Sequence, residues 1–261
     1  MHLFRSYPEA KFGGYTDVDG TIAFYLRVKS LLGEESTVLD VGCGRGAYSE
    51  DTVPVRRRLR ILSARCRVIG LDVSSDAAEN PFIHEFRLIL PGTRWPIDDE
   101  SVDLVLADFV LEHVERPDLF FAEASRVLKP GGYICIRTPN LYSYVGLATR
   151  LIPNRLHKRL VKTMQVGRAG VDVFDTYHRC NSVGRLERAF RKHGLPGVVY
   201  GYESEPRYLE FSRGAYLLGV LYQRLAPRSV ASTIFGFGRK SEPAVDGEKP
   251  VAEARNAESD L

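Results

Sequence analysis

The chain of 261 residues is long enough for one large α/β domain or two small ones. Its hydrophobic fraction of 44% and charged fraction of 26% are ordinary for a soluble globular protein with a substantial core. The formal net charge of +3 is too small to indicate a nucleic-acid partner. We recognise no signal peptide, and no apolar run approaches the roughly 18 residues that a membrane-spanning helix needs.

The charge is unevenly distributed along the chain. Residues 241–261 contain six acidic and two basic residues, a net charge of −4, so that residues 1–240 carry about +7. This positive body keeps a negatively charged partner or a membrane surface open as alternatives. We expect the acidic tail, 241–261, to be disordered, because it has almost no large apolar residues. The four cysteines lack C-x-x-C spacing, from which we expect reduced, buried thiols, a cytosolic protein and no metal site; they are Cys43, Cys66, Cys135 and Cys180.

Strand-like and helix-like patterns alternate along the chain. After a predicted helix over 21–32, a short buried strand is predicted over 38–41. Further strands are predicted over 67–71, 86–90, 102–107, 133–137, 198–202 and 233–238. Helices are predicted over 53–64, 109–114, 119–128, 183–192 and 208–225. This alternation is typical of a doubly wound, Rossmann-like α/β sheet, in which ligands bind at the carboxyl ends of the strands.

Three alternate glycines follow the first predicted strand, in the stretch T-V-L-D-V-G-C-G-R-G. Because glycine permits positive φ and close backbone approach, Gly42, Gly44 and Gly46 predict a tight turn against which a nucleotide-like cofactor can lie. A helix beginning at Ala47 would direct free N–H groups toward that ligand. The alternative is a glycine-rich turn that serves only tight packing of strand and helix.

An acidic residue, Asp72, ends the second predicted strand. At this position of a βαβ unit a carboxylate is placed to accept hydrogen bonds from ribose hydroxyls. The sequence D-V-S-S also permits a helix N-cap, so this second interpretation stays open.

Four motifs in this order resemble those of the class I S-adenosylmethionine-dependent methyltransferases, of the methyltransferase type 11 kind. They read V-L-D-V-G-C-G-R-G, V-I-G-L-D-V-S, P-I-D-D-E-S-V-D-L-V-L-A-D-F-V-L-E-H-V and R-V-L-K-P-G-G-Y-I-C-I-R-T-P-N. The resemblance implies a mostly parallel seven-stranded sheet with an antiparallel last strand, and S-adenosyl-L-methionine as cofactor. It also implies that Asp40 organises the glycine loop, that Ala107 and Asp108 approach the methionine moiety, and that adenine lies near 90–95.

The later part of the chain carries the question of the methyl acceptor. We expect one methyltransferase domain over 1–240, with insertions at about 141–180 and 203–230 that form a lid over the methyl group. Tyrosines, apolar runs and scattered arginines in these insertions favour a small-molecule, glycan or lipid-like acceptor and no nucleic acid. The predicted helix over 208–225 either packs over the core, lines an apolar pocket or lies at a membrane interface.

A hydroxyl acceptor would benefit from a general base, for which His178 and His113 are the candidates. We therefore expect methyl transfer, in the O-methylation class, by a cytoplasmic protein that can be peripheral at a membrane. Two alternatives remain: a cofactor-binding scaffold without catalysis, and an NAD-dependent oxidoreductase. The acceptor's identity and the oligomeric state are left open by the sequence.

Overall fold

A computed structural model describes residues 2–144, 146 and 175–242 of the chain. Its seven strands are β1 Thr37–Val41, β2 Arg67–Asp72, β3 Glu85–Leu88, β4 Val102–Asp108, β5 Leu128–Pro139, β6 Gly197–Tyr202 and β7 Thr233–Arg239. The α-helices within these ranges are α1 Leu3–Ser6, α2 Gly20–Ser30, α3 Pro54–Arg60, α4 Pro117–Val127, α5 Val183–Lys192 and α6 Arg213–Leu225.

The strands form one sheet in the order β3-β2-β1-β4-β5-β7-β6. Neighbouring strands from β3 to β5 are parallel, whereas β7 pairs antiparallel with both β5 and β6. The predicted Rossmann-like sheet with an antiparallel last strand is therefore confirmed. The order of the strands brings the carboxyl ends of β1, β2, β4 and β5 to a single edge of the sheet.

Helices cover both faces of the sheet, because the central strands are apolar on both sides. On one face, α4 and α5 bury Phe120, Phe121 and Phe190 against the strands. On the other face, α2 buries Phe24 and Val28. Asp19 begins α2 as its N-cap, since its carboxylate accepts hydrogen bonds from the backbone N–H groups of the first turn at 2.9 and 3.0 Å.

Three predicted helices differ from the observed ones by more than two residues. Residues 109–114 do not form an α-helix; only Leu111–His113 form a 3₁₀ turn, because Phe109 takes a positive φ of 57° directly after β4. Helix α3 ends at Arg60 rather than continuing to residue 64. Helix α6 begins at Arg213, after a 3₁₀ turn.

Part of the predicted organisation lies outside the described residues. This applies to most of the insertion over 141–180 and to the tail from residue 243 onward. Among the residues that the structure describes, no helix is long and apolar enough to cross a bilayer. All four cysteines are buried free thiols.

Candidate active site

The glycine loop between β1 and β2 has the backbone that its sequence predicts. Gly42, Gly44 and Gly46 all have positive φ, at 67°, 52° and 74°. The loop is fixed to the end of β2, because the Gly42 N–H donates to the carbonyl of Leu71 at 2.7 Å. No atom would lie within 4 Å of a Cβ at Gly44, so that this part of the loop faces open space. The expected α-helix at Ala47 is absent; Ala47–Glu50 form a 3₁₀ turn instead.

Asp72 connects this loop to the end of β2. Its carboxylate accepts the backbone N–H of Gly44 at 2.9 Å through one oxygen and that of Ser74 at 2.9 Å through the other. The helix-cap interpretation of Asp72 is wrong, because Ser74 is the N-cap of the following 3₁₀ turn and its hydroxyl accepts the Asp76 N–H. An ionised carboxylate has about four acceptor sites, so Asp72 retains capacity for further donors.

The side chain of Asn80 hydrogen-bonds to the same loop, and the sequence analysis did not identify this residue. This side chain is only 4% exposed, and its amide nitrogen donates to the carbonyls of Cys43 and Gly44, both at 3.1 Å. Its amide oxygen accepts the Phe82 N–H at 3.0 Å. The only local signal is the Asn80-Pro81 pair, which indicates a turn but no contact with a distant loop.

Asp108 ends β4 and lies at the centre of a buried polar cluster. The guanidinium of Arg137, on neighbouring β5, donates to both carboxylate oxygens at 2.6 and 2.7 Å. The Tyr25 hydroxyl of α2 donates to the same carboxylate at 2.9 Å. Burial alone would raise the pKa of Asp108, but Arg137 and Arg60 hold it below the ordinary value. Asp108 is therefore a fixed negative charge at the carboxyl edge of the sheet.

Arg60 reaches this cluster from α3. Its guanidinium lies 4.7 Å from the centre of the Tyr48 ring and 3.7 Å from the Asp108 carboxylate. Its Nε is buried without a hydrogen-bond partner among the described residues. The run of arginines at 56–58 and 60 suggests a solvated helix face from sequence; Arg57 and Arg58 are exposed, but Arg56 is buried and Arg60 is partly buried.

Asp40, one residue before the end of β1, shares this environment. Enclosure by the protein, together with the carboxylates of Asp108 and Asp72, raises the pKa of Asp40 to about 7. Arg60 opposes this shift. Three carboxylates therefore meet at the carboxyl ends of β1, β2 and β4, and a bound cation would relieve their mutual repulsion.

A second cluster lies on the β5 side of the edge. Glu112, buried in the 3₁₀ turn after β4, accepts the hydroxyl of Thr138 at 3.1 Å, and Asn181 donates to that hydroxyl at 2.6 Å. Burial raises the pKa of the Glu112 carboxyl. The amide oxygen of Asn181 is buried without a partner among the described residues. Sequence reasoning missed Glu112, because a glutamate in E-H-V gives no sign of burial.

The structure brings the two candidate bases to the same turn. The backbone N–H groups of Tyr177 and His178 donate to the carbonyl of Glu112 at 2.8 and 3.1 Å. His113, the next residue, has its Nδ1 2.9 Å from the carbonyl oxygen of Asp175. His178 has a positive φ of 50°, a backbone conformation that is uncommon for a residue other than glycine.

Two other regions that were expected to contact the cofactor, Ala107 and the stretch 90–95, are partly buried in the core. Ala107 is completely buried in the core, so only its backbone and the following Asp108 present groups at the edge. In the stretch expected near adenine, Trp95 is a core residue whose ring packs edge-on against Phe120 at 5.4 Å, whereas Leu90 is 67% exposed. An adenine contact in this stretch is therefore available only from residues before Trp95.

The site fits a cofactor with a ribose diol and an amino-acid end. Asp72 has acceptor capacity beside the open space at Gly44, and the carboxylates of Asp40 and Asp108 suit an ammonium group. The guanidinium of Arg60, a side chain that is 28% exposed, offers a positive charge to an anionic group. Asp72, Gly44, Asp40 and Arg60 are the residues that would hold such a molecule.

Part of the chain is similar to one domain family. Residues 39–136 match the family model described as a methyltransferase domain. A Mycolicibacterium smegmatis protein named "Probable S-adenosylmethionine-dependent methyltransferase" is 32% identical over 165 residues, which cover 60% of each chain. The ubiquinone biosynthesis O-methyltransferase of Hydrogenovibrio crunogenus is 30% identical over 115 residues, which cover 41% of this chain and 44% of that protein. The matches thus span less than two thirds of these relatives.

Solved structures resemble the whole sheet. One chain of the Haloferax volcanii complex between the Trm112 methyltransferase activator and a methyltransferase superposes with a TM-score of 0.53. The two sequences are 20% identical, and the superposition covers 92% of this chain and 95% of that one. At this identity the similarity shows the fold alone.

Proposed function

We propose that the chain is a class I S-adenosylmethionine-dependent methyltransferase and that it methylates a hydroxyl group of a small-molecule, glycan or lipid-like acceptor. The observation that carries the proposal is the hydrogen bond from Gly44 of the glycine loop to Asp72 at 2.9 Å. It joins the backbone suited to the methionine end of the cofactor to the carboxylate suited to its ribose. The O-methyltransferase name of the ubiquinone-biosynthesis relative supports oxygen as the methylated atom.

S-adenosylmethionine, when bound, supplies an electrophilic methyl group on a sulfonium centre. The protein then has to orient the acceptor behind that methyl and exclude water, and orientation can contribute as much as about 7–11 kcal/mol. In our proposal Asp72 and Gly44 hold the cofactor, Asp40 and the Asp108–Arg137 pair fix its charged end, and the turn around Glu112 positions the acceptor. His178 or His113 accepts the acceptor's hydroxyl proton through a ring nitrogen.

The two competing functions differ from this one in measurable ways. An NAD-dependent oxidoreductase also uses a glycine loop followed by an acidic residue, but it must accommodate a pyrophosphate. A scaffold without catalysis would bind S-adenosylmethionine and transfer no methyl group to any acceptor.

Calorimetry with S-adenosylhomocysteine tests the cofactor site. We expect one site per chain, and we expect Asp72→Ala to weaken binding by about 1.5–3 kcal/mol, because a charged acceptor of hydrogen bonds is lost. Asp76→Ala, at an exposed acidic residue of the next turn, is the matched control and should bind like the parent. Parent affinity in a folded Asp72→Ala protein, or binding of NAD alone, would refute the assignment.

Transfer of labelled methyl groups into fractionated lipid, glycan and protein extracts tests the acceptor class. We expect label in a lipid or glycan fraction, and a lower rate for His178→Asn at unchanged S-adenosylhomocysteine affinity. Asparagine is chosen because it tolerates the positive φ at this position. We expect the same effect for Arg179→Ala, because this exposed arginine directly follows His178 and its charge could hold a phosphate or carboxylate of the acceptor. Arg188→Ala, at an exposed position of α5, is the control. Parent rates for both site variants would place the acceptor elsewhere, and label only in protein would contradict the acceptor class.

A further inference from the structure

Helix α6 turns a row of leucines toward solvent. Leu217, Leu218, Leu221 and Leu225 are 52%, 68%, 53% and 71% exposed. Their spacing of three and four residues places them on one side of the helix. Leucines at such positions normally face a core, so this row is an apolar surface without a partner among the described residues.

The opposite side of α6 is firmly packed, so the orientation of the helix is not arbitrary. Tyr216 and Val220 are buried in a small cluster with Tyr7 and Ala10 of the N-terminal segment. Gly219 faces Pro206, where a Cβ would lie 2.5 Å from the proline side chain. Rotating the helix to bury the leucines would expose this cluster and bring side chains against Pro206.

The charges around this row are almost all positive. Residues 207–228 contain four arginines and a single acidic residue, Glu210, and α6 itself contains no acidic residue. Arg213 and Arg224 are exposed at the two ends of the row. Phe211, which is 78% exposed, lies two residues before the helix. An exposed apolar row bordered by arginines and an aromatic side chain is typical of helices that lie in the interface of an anionic bilayer.

The surface lies next to the candidate active site. The Tyr222 ring of α6 packs edge-on against Tyr144, which follows β5, at 4.9 Å. The Tyr222 hydroxyl donates to the carbonyl of Val230 at 2.6 Å. Asn140, at the end of β5, donates to the carbonyls of Ser229 and Ala231 at 2.9 and 2.8 Å. These contacts join α6 to the carboxyl edge of the sheet.

We propose that α6, with the residues preceding it, is a docking surface for a membrane containing anionic lipids. The leucines and Phe211 would enter the apolar boundary, and Arg213 and Arg224 would contact the headgroups. A second copy of this chain fits the surface less well, because a symmetric contact through this face brings like-charged arginines together. Docking does not depend on the proposed methyl transfer, although it would present the candidate site to a lipid-like acceptor.

Sedimentation with vesicles of phosphatidylglycerol and phosphatidylcholine tests this surface. We expect the parent to bind these vesicles better than vesicles of phosphatidylcholine alone. The double variant Leu218→Glu/Leu221→Glu should lower the partition coefficient at least about tenfold, because two apolar contacts become charged. Arg213→Ala/Arg224→Ala should lower it about tenfold on the anionic vesicles only, since each arginine loses a headgroup contact.

Val198→Glu is the matched control for the leucine variant. Val198 is also apolar and 64% exposed, but it lies near the amino-terminal end of β6, at the opposite edge of the sheet from α6. It should sediment with the vesicles like the parent. Thermal unfolding and S-adenosylhomocysteine binding show whether each variant is folded, and Leu218→Ser replaces the double variant if that variant unfolds.

Three outcomes would overturn the proposal. The first is a parent protein that does not sediment with anionic vesicles. The second is a folded leucine variant that binds them like the parent. The third is a parent dimer in solution that the leucine substitutions dissociate, since a second copy would then cover the row. Loss of S-adenosylhomocysteine binding with intact vesicle binding would concern the proposed function only.

Discussion

The Asp108–Arg137 pair is the contact at the carboxyl edge whose loss should lower stability most. Both side chains are almost completely buried, at 7% and 6% exposure, and they share two hydrogen bonds. Removing one partner of such a pair leaves an uncompensated buried charge. Asp108→Asn is therefore expected to lower the free energy of unfolding by about 3–5 kcal/mol in urea titration without cofactor.

Asp118→Asn is the control for this prediction. Asp118 pairs with Lys192 at 2.8 Å, but both side chains are more than half exposed. Because solvent screens such a pair, the loss should stay within about 1 kcal/mol. Equal losses in the two variants would mean that the Arg137 charge is compensated in another way.

The carboxyl of Asp40 makes the stability of the protein depend on pH. Its pKa of about 7 in the folded state lies above the ordinary value of 3.8. The folded state therefore keeps a proton that the unfolded state has lost, and raising the pH from about 4 to about 8 costs stability, by as much as about 4 kcal/mol.

Asp40→Asn should remove this loss and make the protein more stable than the parent at pH 8. Urea unfolding at pH 5 and pH 8 measures the effect, with the exposed Asp76→Asn as a control that keeps the parent's pH dependence. A parent whose stability rises with pH over this interval, with no change in Asp40→Asn, would show that Asp40 is ionised throughout. The same residue predicts proton release when a cationic cofactor binds below pH 7.

Among the structural elements, the glycine loop contains two glycines whose substitution should affect stability and cofactor binding differently. A Cβ at Gly42 would lie 2.5 Å from Cγ2 of Val110, whereas a Cβ at Gly44 would meet no atom within 4 Å. Gly42→Ala should therefore cost about 2–4 kcal/mol of stability, from strain at positive φ and from crowding. Gly44→Ala should cost only about 1–2 kcal/mol, from strain alone.

Binding is expected to respond differently in the two variants. A methyl group at Gly44 occupies the space in which the cofactor would approach the backbone, so Gly44→Ala should lower S-adenosylhomocysteine affinity by at least about tenfold. Urea unfolding and calorimetry on the same samples compare the two effects. Parent affinity in Gly44→Ala would indicate that the cofactor does not approach this residue.

Local elements were predictable from the sequence where one short stretch contains all their determinants. The succession of β1, the glycine loop and β2 is one such case. Helix α5 is another, and it has the predicted bounds of 183–192. The turn after β4 was not predictable, because a bulky residue, Phe109, adopts a positive φ while its ring packs on the Arg137 guanidinium at 4.9 Å.

The residues of the candidate site that the sequence did not predict are brought there by tertiary contacts. Arg60 resembles its exposed neighbours in sequence, and only the packing of α3 beside α2 brings it near Asp108. Asn80 likewise acts on a loop that precedes it by more than thirty residues. Periodicity describes which face of an element is buried, but it cannot show which distant polar groups meet at the end of a sheet.

For the whole molecule, composition predicts that the acidic end of the chain is dispensable. The structure describes the chain as far as Glu242, where the last contacts are the Ser241 N–H to the carbonyl of Gly194 at 3.2 Å and the Glu242–Arg239 pair. Residues 243–261 contain no aromatic side chain, and from this composition we expect no contribution to the folded core.

A chain ending at Glu242 should therefore keep the melting temperature and S-adenosylhomocysteine affinity of the parent. Calorimetric scans and titrations of both chains check this expectation. A clear loss in either quantity would show that the acidic residues contact the positive body.

Strand β7 is late in the chain but interior in the sheet, between β5 and β6. While the protein is being synthesised, β5 leaves the ribosome long before Thr233 does. Until β7 emerges, the edge of β5 that pairs with β7 is unpaired. An unpaired strand edge readily pairs with a wrong chain, so this interval is when the nascent protein most needs chaperones. The interval ends only when Arg239 has emerged. Premature termination just before Thr233 is therefore expected to yield an aggregating product, whereas termination after Glu242 yields a folded one.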